Sequence, residues 1–440
     1  MRIGRGLIVL LIVAFSATSA MAGGFRLPEA GAKAMSMGFA FTAQADDPSA
    51  IYFNPAGIMQ LEGVNVMAGG TYVDGKGATF TGTTPLTGGL SVAETQKDLI
   101  FLIPNAYFTQ KVSSKFAYGV GIFAPFGLGQ EYQDRTTSIF RNQITKIDLM
   151  TLVVNPTVAY KVNDSLSIGG GIDYMFARAK LAKTAVVSLP SFVNIYQLDL
   201  DGEGSAWGFN LGALYTPSKD WKVGLSYRSP FKVKIHEGDV KIHDIENTVA
   251  FVAPGLTTAQ VFGIFGGAAN KGTTTLNLPP TAGLGVAYTC NKLTIEADAD
   301  FTFWRNFRSL DIIIKDKTNP LIKDSLTAEN WRDTLAFYLG GEYRISDPWA
   351  LRAGFRYDPT PVPPSTMNPS LPDATKLYYS LGAGYKFKNW TFDLAYMFVD
   401  KRDRTANNQT ANAPPTVGTG FNGKWSGNSQ LVALDIGFKF

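Results

Sequence analysis

Apolar residues alternate with small or polar ones along most of this chain, and a two-residue period fits only strands with two unlike faces. The clearest stretch sets Trp390, Phe392, Leu394, Tyr396 and Phe398 against Thr391, Asp393, Ala395, Met397 and Val399. The final residues repeat it, with Val432, Leu434, Ile436, Phe438 and Phe440 opposing Leu431, Ala433, Asp435, Gly437 and Lys439. Fourteen such segments run from near 64–75 to near 428–440, an even number as bacterial membrane barrels use. Short turns at Ser113-Ser114, Asn163-Asp164, Ser218-Lys219, Cys290-Asn291, Ser346-Asp347 and Lys388 alternate with long loops, the asymmetry of periplasmic turns and outer loops. Trp221, Trp349 and Trp390 fall beside short turns and Trp207, Trp304, Trp331 and Trp425 beside long loops, which predicts two aromatic girdles. In a soluble sandwich the polar face would be rich in Lys and Glu; here it is Gly, Ser, Asn and Thr with scattered charges. The predicted fold is therefore all-β, a 14-stranded antiparallel transmembrane β-barrel, whose closure pairs backbone groups that hydrocarbon leaves unsatisfied.

Composition narrows the class further. The chain has 440 residues, 45% hydrophobic, with mean hydropathy near zero. Outside its first residues it contains no apolar run long enough for a membrane helix, which needs about 20. A net charge of +4 gives no basic surface for nucleic acid, and the lone Cys290 cannot form a disulfide framework. Residues 1–22 read as a signal peptide: Arg2 and Arg5, an apolar run from Leu7 to Phe15, then Ala20-Met21-Ala22 as a small-x-small cleavage site. The mature chain is expected to begin at Gly23. This divides the sequence into a leader 1–22, a non-alternating segment 23–61 and a barrel 62–440.

Three features separate the barrel from an open pore. Segment 23–61 is rich in Gly, Ala and Met, too apolar for a solvated tail, and is expected to fold into the lumen as a hatch. Asn54-Pro55-Ala56 supplies a tight reversal within it, because Pro fixes φ and removes a donor. Pro125 lies mid-strand among Gly119, Gly121, Gly127 and Gly129; losing one ladder donor there predicts a gap in the wall. The outer loop at about 237–273 holds Asn247 to Asn270 without a charge, including Phe251, Val261, Phe262 and Phe265. Exposed apolar surface of that extent marks a capture site for an oily molecule. Strand parity points Arg228, Arg352 and Arg356 into the lumen opposite Glu296, Asp298 and Asp300, which predicts a largely salt-bridged wall.

Ala45-Asp46-Asp47-Pro48 followed by Asn54-Pro55-Ala56-Gly57-Ile58 resembles the hatch of FadL-type outer-membrane transporters of long-chain fatty acids, a family that includes aromatic-hydrocarbon uptake proteins. The similarity extends along the mature chain. It implies a 14-stranded barrel with an N-terminal hatch, and fourteen is the strand count reached above without it. It implies that Gly24-Phe25 reaches into the ligand pocket and that Phe126-Gly127-Leu128 marks a kinked third strand. Pro125, Phe126 and Gly127 would then form a lateral gate. Phe176-Ala177-Arg178-Ala179-Lys180 is similar to a fifth-strand segment of the family, and the interior basic position three residues on is Lys183. Lysine there keeps a point charge but loses the bidentate fork of arginine. Phe440 resembles the terminal aromatic read by the barrel assembly machinery.

Ligand-binding candidates are thus Phe25, Lys183, Arg228, Arg352, Arg356, Phe251, Val261, Phe262 and Phe265. The function implied is passive uptake of fatty acids or other hydrophobic compounds: capture at outer loops, an interior site, hatch movement and sideways release. A chain of about 15 methylenes costs roughly 12 kcal/mol to immerse in water at about 0.8 kcal/mol each, and a continuous apolar route avoids that cost. A toluene-like substrate, a general porin and a surface adhesin are the competing readings. His236 and His243 are the only two His; no motif joins them to a nucleophile, and their spacing suits no metal. Gly169-Gly170-Gly171 reads as strand packing, not a phosphate loop. No enzyme activity, cofactor or nucleic-acid partner is expected; the expected partners are hydrophobic small molecules, outer-membrane lipid, lipopolysaccharide and the assembly machinery, with the chain a monomer.

Overall fold

A computed structural model describes residues 23–189, 192–244, 269–315, 324–410 and 419–440. Fourteen strands run in chain order. They are β1 (Val64–Gly75), β2 (Leu99–Lys111), β3 (Phe116–Phe123 and Gly127–Glu131), β4 (Lys146–Lys161) and β5 (Leu166–Leu189). Next come β6 (Phe192–Tyr215), β7 (Trp221–Arg228 and Phe231–Asp244), β8 (Ala269–Leu278 and Thr281–Cys290) and β9 (Leu293–Thr302 and Ser309–Ile314). The set ends with β10 (Ser325–Ala328 and Thr334–Arg344), β11 (Trp349–Asp358), β12 (Lys376–Phe387), β13 (Trp390–Asn407) and β14 (Asn422–Lys439). Each pairs antiparallel with its successor, and β14 returns to β1 from Asn65↔Lys439 to Gly75↔Ser429, closing the cylinder.

The greasy face of each strand points out. On β13 Leu394 is 52% exposed while Ala395 and Met397 are fully buried, the inverse of a soluble sandwich, where the larger apolar side chains would be inside. That inversion is stable only with lipid against the outer face. β5 and β6 each have 24 residues, about twice the 9–11 that cross a bilayer, so their paired upper halves rise beyond the membrane.

Four of the seven Trp sit on the outer surface. Trp221 and Trp349 pack on Tyr288 and Tyr385 of the neighbouring strands, and Trp390 on Phe438, at the short-turn end; Trp207 packs on Tyr174 toward the loops. Trp304, Trp331 and Trp425 depart from the expected outer girdle, being buried. Their strands and loops stand above the membrane, where the apolar face turns inward to roof the lumen: Trp425 stacks on Phe140 at 5.3 Å and Trp304 meets Trp331 at 4.8 Å.

Residues 23–61 fill the barrel. They carry α1 (Ala32–Ser36), α2 (Ala50–Phe53) and a 3-10 turn over Pro55–Gln60, and nearly all are buried. Asn54 organises the last turn: its Oδ1 accepts from the Ala56 N–H at 3.2 Å, and its Nδ2 donates to the carbonyls of Thr42 and Ala213 at 2.8 and 3.0 Å. Gly169 and Gly212 on β5 and β6 lie against Pro55, where any Cβ would push the hatch off the wall; this close approach is what the glycine string provides.

Candidate functional site

The hatch is docked mainly by wall carboxylates that accept from its backbone. Asp298 Oδ2 accepts from the N–H groups of Phe41 and Thr42 at 3.0 Å each, and Glu296 accepts from Ala43 and Gln44 at 2.6 and 2.8 Å. Asp435 accepts from Ala32 at 2.5 Å. The expectation that Glu296 and Asp298 join a salt-bridged wall is corrected here: consecutive amides take the place of the arginines, since a carboxylate with two donors is satisfied without a cation. Asp300 does form an ion pair, with Arg26 of the hatch at 2.7 Å.

The three inward arginines are engaged at the hatch. Arg228 bonds Asp173 at 2.6 Å and the Tyr52 carbonyl at 3.2 Å, with Phe123 and Tyr52 rings 4.9 and 5.2 Å from its guanidinium. Arg352 bridges Glu342 and Asp393 at 2.7 and 2.6 Å, and Glu342 also meets Lys33 of α1 at 3.4 Å. Arg356 bonds Asp358 and lies 4.7 and 4.9 Å from the rings of Tyr378 and Tyr338. None of the three lines the apolar cavity described next.

That cavity lies in the outer half of the barrel. Leu128, Leu149, Leu181, Leu200 and Leu276 line it together with Ile147, Ile235, Ile312 and Val240. Phe25 forms part of the lining and stands in an aromatic cluster, its ring 5.1 Å from Trp304, 5.2 Å from Phe307, 5.4 Å from Trp331 and 6.1 Å from Phe126. Lys183 shares a face of β5 with Ala179 and Leu181, both of which line the cavity, and is two residues nearer the loops. It is partly buried, and no carboxylate pairs with it among the described residues. Phe251, Val261, Phe262 and Phe265 lie outside the described residues.

Beside the cavity the wall is interrupted. β2 and β3 pair from Lys111↔Ala117 up to Ala106↔Ile122 and then separate. Above Phe123 the upper piece of β3, Gly127–Glu131, pairs with β4 alone. The two sides meet again only at Gln96↔Tyr132, with the Lys97 N–H donating to the Glu131 carbonyl at 2.8 Å. Residues 98–105 and 123–130 are left without ladder pairing to each other, a gap in the backbone ladder that we call the window. Its lower edge is about eight strand residues above the periplasmic turn, roughly 20 Å at about 3.3 Å per residue and a 40° tilt, so it faces the outer leaflet.

The backbone of Ala124, Pro125 and Phe126 turns inward and pairs with the start of the hatch. Leu27 N–H donates to the Pro125 carbonyl at 2.8 Å and Gly127 N–H to the Phe25 carbonyl at 2.9 Å, around an Arg26↔Phe126 bridge. Register explains the break. β3 pairs Phe123↔Val153 below it and Gly127↔Met150 above it, so one extra residue lies within 124–126, a bulge with a proline in it. Pro104 on β2 stands where Ala124 would pair if the β2–β3 register continued.

Sequence reasoning brought out Phe25, Pro125, Phe126, Gly127 and Asn54 and missed the aliphatic lining. Its signal is alternation that persists above the membrane: on β7, Phe231, Val233 and Ile235 recur at every second position beyond the membrane part of the strand and are buried.

Residues 13–440 match the model of the family described as outer membrane protein transport protein (OMPP1/FadL/TodX). The long-chain fatty acid transport protein of Escherichia coli O6:H1 is 29% identical over 403 residues, covering 85% of this chain and 86% of that protein. Outer membrane protein P1 of Haemophilus influenzae is 27% identical, with 97% of each chain covered. Among solved structures, a Pseudomonas aeruginosa FadL homologue superposes with a TM-score of 0.81 at 20% identity, over 95% of this chain and 100% of the other. The Pseudomonas putida toluene transporter TodX gives 0.70 at 15% identity, over 94% and 99%; at such identities the likeness speaks for the fold. With the family model spanning almost the whole chain, this protein belongs to the OMPP1/FadL/TodX family: it is a bacterial outer-membrane transporter of hydrophobic compounds and not an enzyme.

Proposed function

We propose that this protein takes up long-chain fatty acids passively across the outer membrane. The observation that carries the reading is the largely aliphatic cavity, lined in part by Phe25, with a lysine on the loop side that pairs with no carboxylate among the described residues. Branched aliphatic walls accept a flexible hydrocarbon tail, while Lys183 offers the carboxylate a charge-assisted contact worth roughly 1.5–3 kcal/mol.

Transport follows from shared backbone. Phe25 touches the cavity, and its carbonyl accepts from Gly127 beside the window. Ligand that displaces the Phe25 ring loosens the segment that occupies the kink, and cargo passes sideways into lipid without meeting water. No ATP is needed, only a differential affinity of a few kcal/mol between two hatch positions. Capture is assigned to the uncharged outer loop holding Phe251, Val261, Phe262 and Phe265.

An aromatic hydrocarbon is the second reading, favoured by the ring cluster of Phe25, Trp304, Phe307 and Trp331, which suits a flat apolar guest. Uptake of radiolabelled oleate and toluene by a deletion strain carrying Lys183→Ala separates them. Fatty-acid uptake at low concentration is expected to fall about tenfold with toluene entry unchanged. If oleate uptake is unaffected, the carboxylate assignment fails; if toluene alone enters even with the unaltered protein, the second reading replaces the first.

A further inference from the structure

The hatch begins with two glycines buried against acidic side chains. The Gly23 nitrogen lies 2.6 Å from Asp358 Oδ2 and the Gly24 N–H donates to Asp373 Oδ2 at 3.2 Å. Both carboxylates are buried, Asp358 at the end of β11 and Asp373 in the loop before β12. The other groups facing them are Arg356 on Asp358, and Lys376 and the Thr360 hydroxyl on Asp373, while Arg404 donates to the Asp373 carbonyl.

The Gly23 nitrogen has a buried carboxylate oxygen in direct reach, and the fit is specific to glycine at both positions. A Cβ on Gly23 would collide with the Asp358 carboxylate, and one on Gly24, where φ is +66°, would lie 2.6 Å from the Trp304 ring. The small-x-small sequence Ala20-Met21-Ala22 stops at the residue before. Hydrolysis of the Ala22–Gly23 peptide adds one water, leaving a carboxylate on Ala22 and an amine on Gly23 that takes up a proton.

We propose that Asp358 is the receptor for the α-ammonium of Gly23 created when the leader is removed, so that processing completes the interior site by seating Phe25. The inference rests on cleavage after Ala22. It makes maturation of the transporter depend on a terminal charge placed two residues from the ring that lines the cavity.

The test uses full-length protein exported with its own leader and purified from outer membranes in detergent. Intact mass is expected to give Gly23 as the first residue; any other terminus overturns the proposal. The folded barrel is then treated briefly with an amine-acylating reagent, and the N-terminal peptide is quantified by mass spectrometry against heat-unfolded protein. Gly23 should be acylated at least about tenfold more slowly in the fold, and Asp358→Asn should abolish most of that protection while Asp358→Glu keeps part of it. A chain retaining two extra residues between Ala22 and Gly23 should be acylated as fast as the unfolded protein, and it carries the test if Asp358→Asn does not assemble. Native protein acylated at the unfolded rate, or Asp358→Asn or the extended terminus protected like the native one, sinks the idea. The readout needs no substrate, so failure of the fatty-acid reading leaves it standing.

Discussion

Phe25 shows how one side chain links two parts of the site. Its ring belongs to an aromatic cluster, and its carbonyl belongs to the bridge that ties the hatch to the kink. Phe25→Ala removes the ring and leaves the carbonyl, so ligand affinity should fall about tenfold while the barrel keeps its folded gel mobility. Equilibrium binding of a fluorescent fatty acid to purified protein measures the first and heat-modifiable migration the second; tenfold corresponds to about 1.4 kcal/mol, an ordinary loss for a buried aromatic at a binding site. Glu329, in the loop above this cluster, gives a pH dependence. Burial pushes its carboxyl up to about 7, with the Trp331 indole N–H and the Asn368 amide donating to it and opposing the shift. A carboxyl whose pKa rises on folding favours the fold in its protonated form. That contribution is full below about 4.3, the ordinary glutamate value, and is lost as pH rises through about 7. The melting temperature of the native protein should therefore fall more between pH 5 and pH 8 than that of Glu329→Gln. Equal falls would show that the carboxyl does not hold the loop.

At the scale of elements, β3 is where sequence and structure agree most usefully. A proline among glycines pointed to a broken ladder, and the register across the break shows the cause as a single extra residue beside Pro125. Deleting Pro125 should restore one continuous register from Phe116 to Glu131, extend the β2 pairing and close the window. Oleate uptake by cells is then expected to drop at least tenfold with binding to purified protein retained; uptake that survives deletion would mean the cargo leaves elsewhere. The hatch contacts were not legible in the same way. Glu296 and Asp298 looked like partners for arginine because a sequence displays side chains, whereas their acceptors' true partners are peptide N–H groups, which every residue carries. Trp425 was legible in principle: it shares parity with Leu431 and Asp435, which face inward, and proximity to a strand end says nothing about face.

For the whole molecule, the strand count, closure and inside-out polarity were readable because lipid imposes a two-residue period over fourteen crossings. The aliphatic cavity was not, because it forms only where five or more strands, far apart in sequence, continue above the membrane and bring their inner faces together. The filled lumen sets an electrical expectation. In planar bilayers the native protein should show no steady large conductance, and the double variant Glu296→Gln, Asp298→Asn should show open events at least about tenfold more often, since each lost charge-assisted bond is worth roughly 1.5–3 kcal/mol. A native protein that conducts like a porin would contradict the docked hatch. Because the cylinder grasps the plug largely by its peptide spine, spelling at those positions is relieved of the duty of docking. A foreign insert of equal length and turn geometry that keeps Gly23, Gly24, Phe25, Arg26, Lys33 and Asn54 would be accepted by the same shell, so the rest of the gatekeeper can be exchanged between relatives like a cartridge while the casing stays the same.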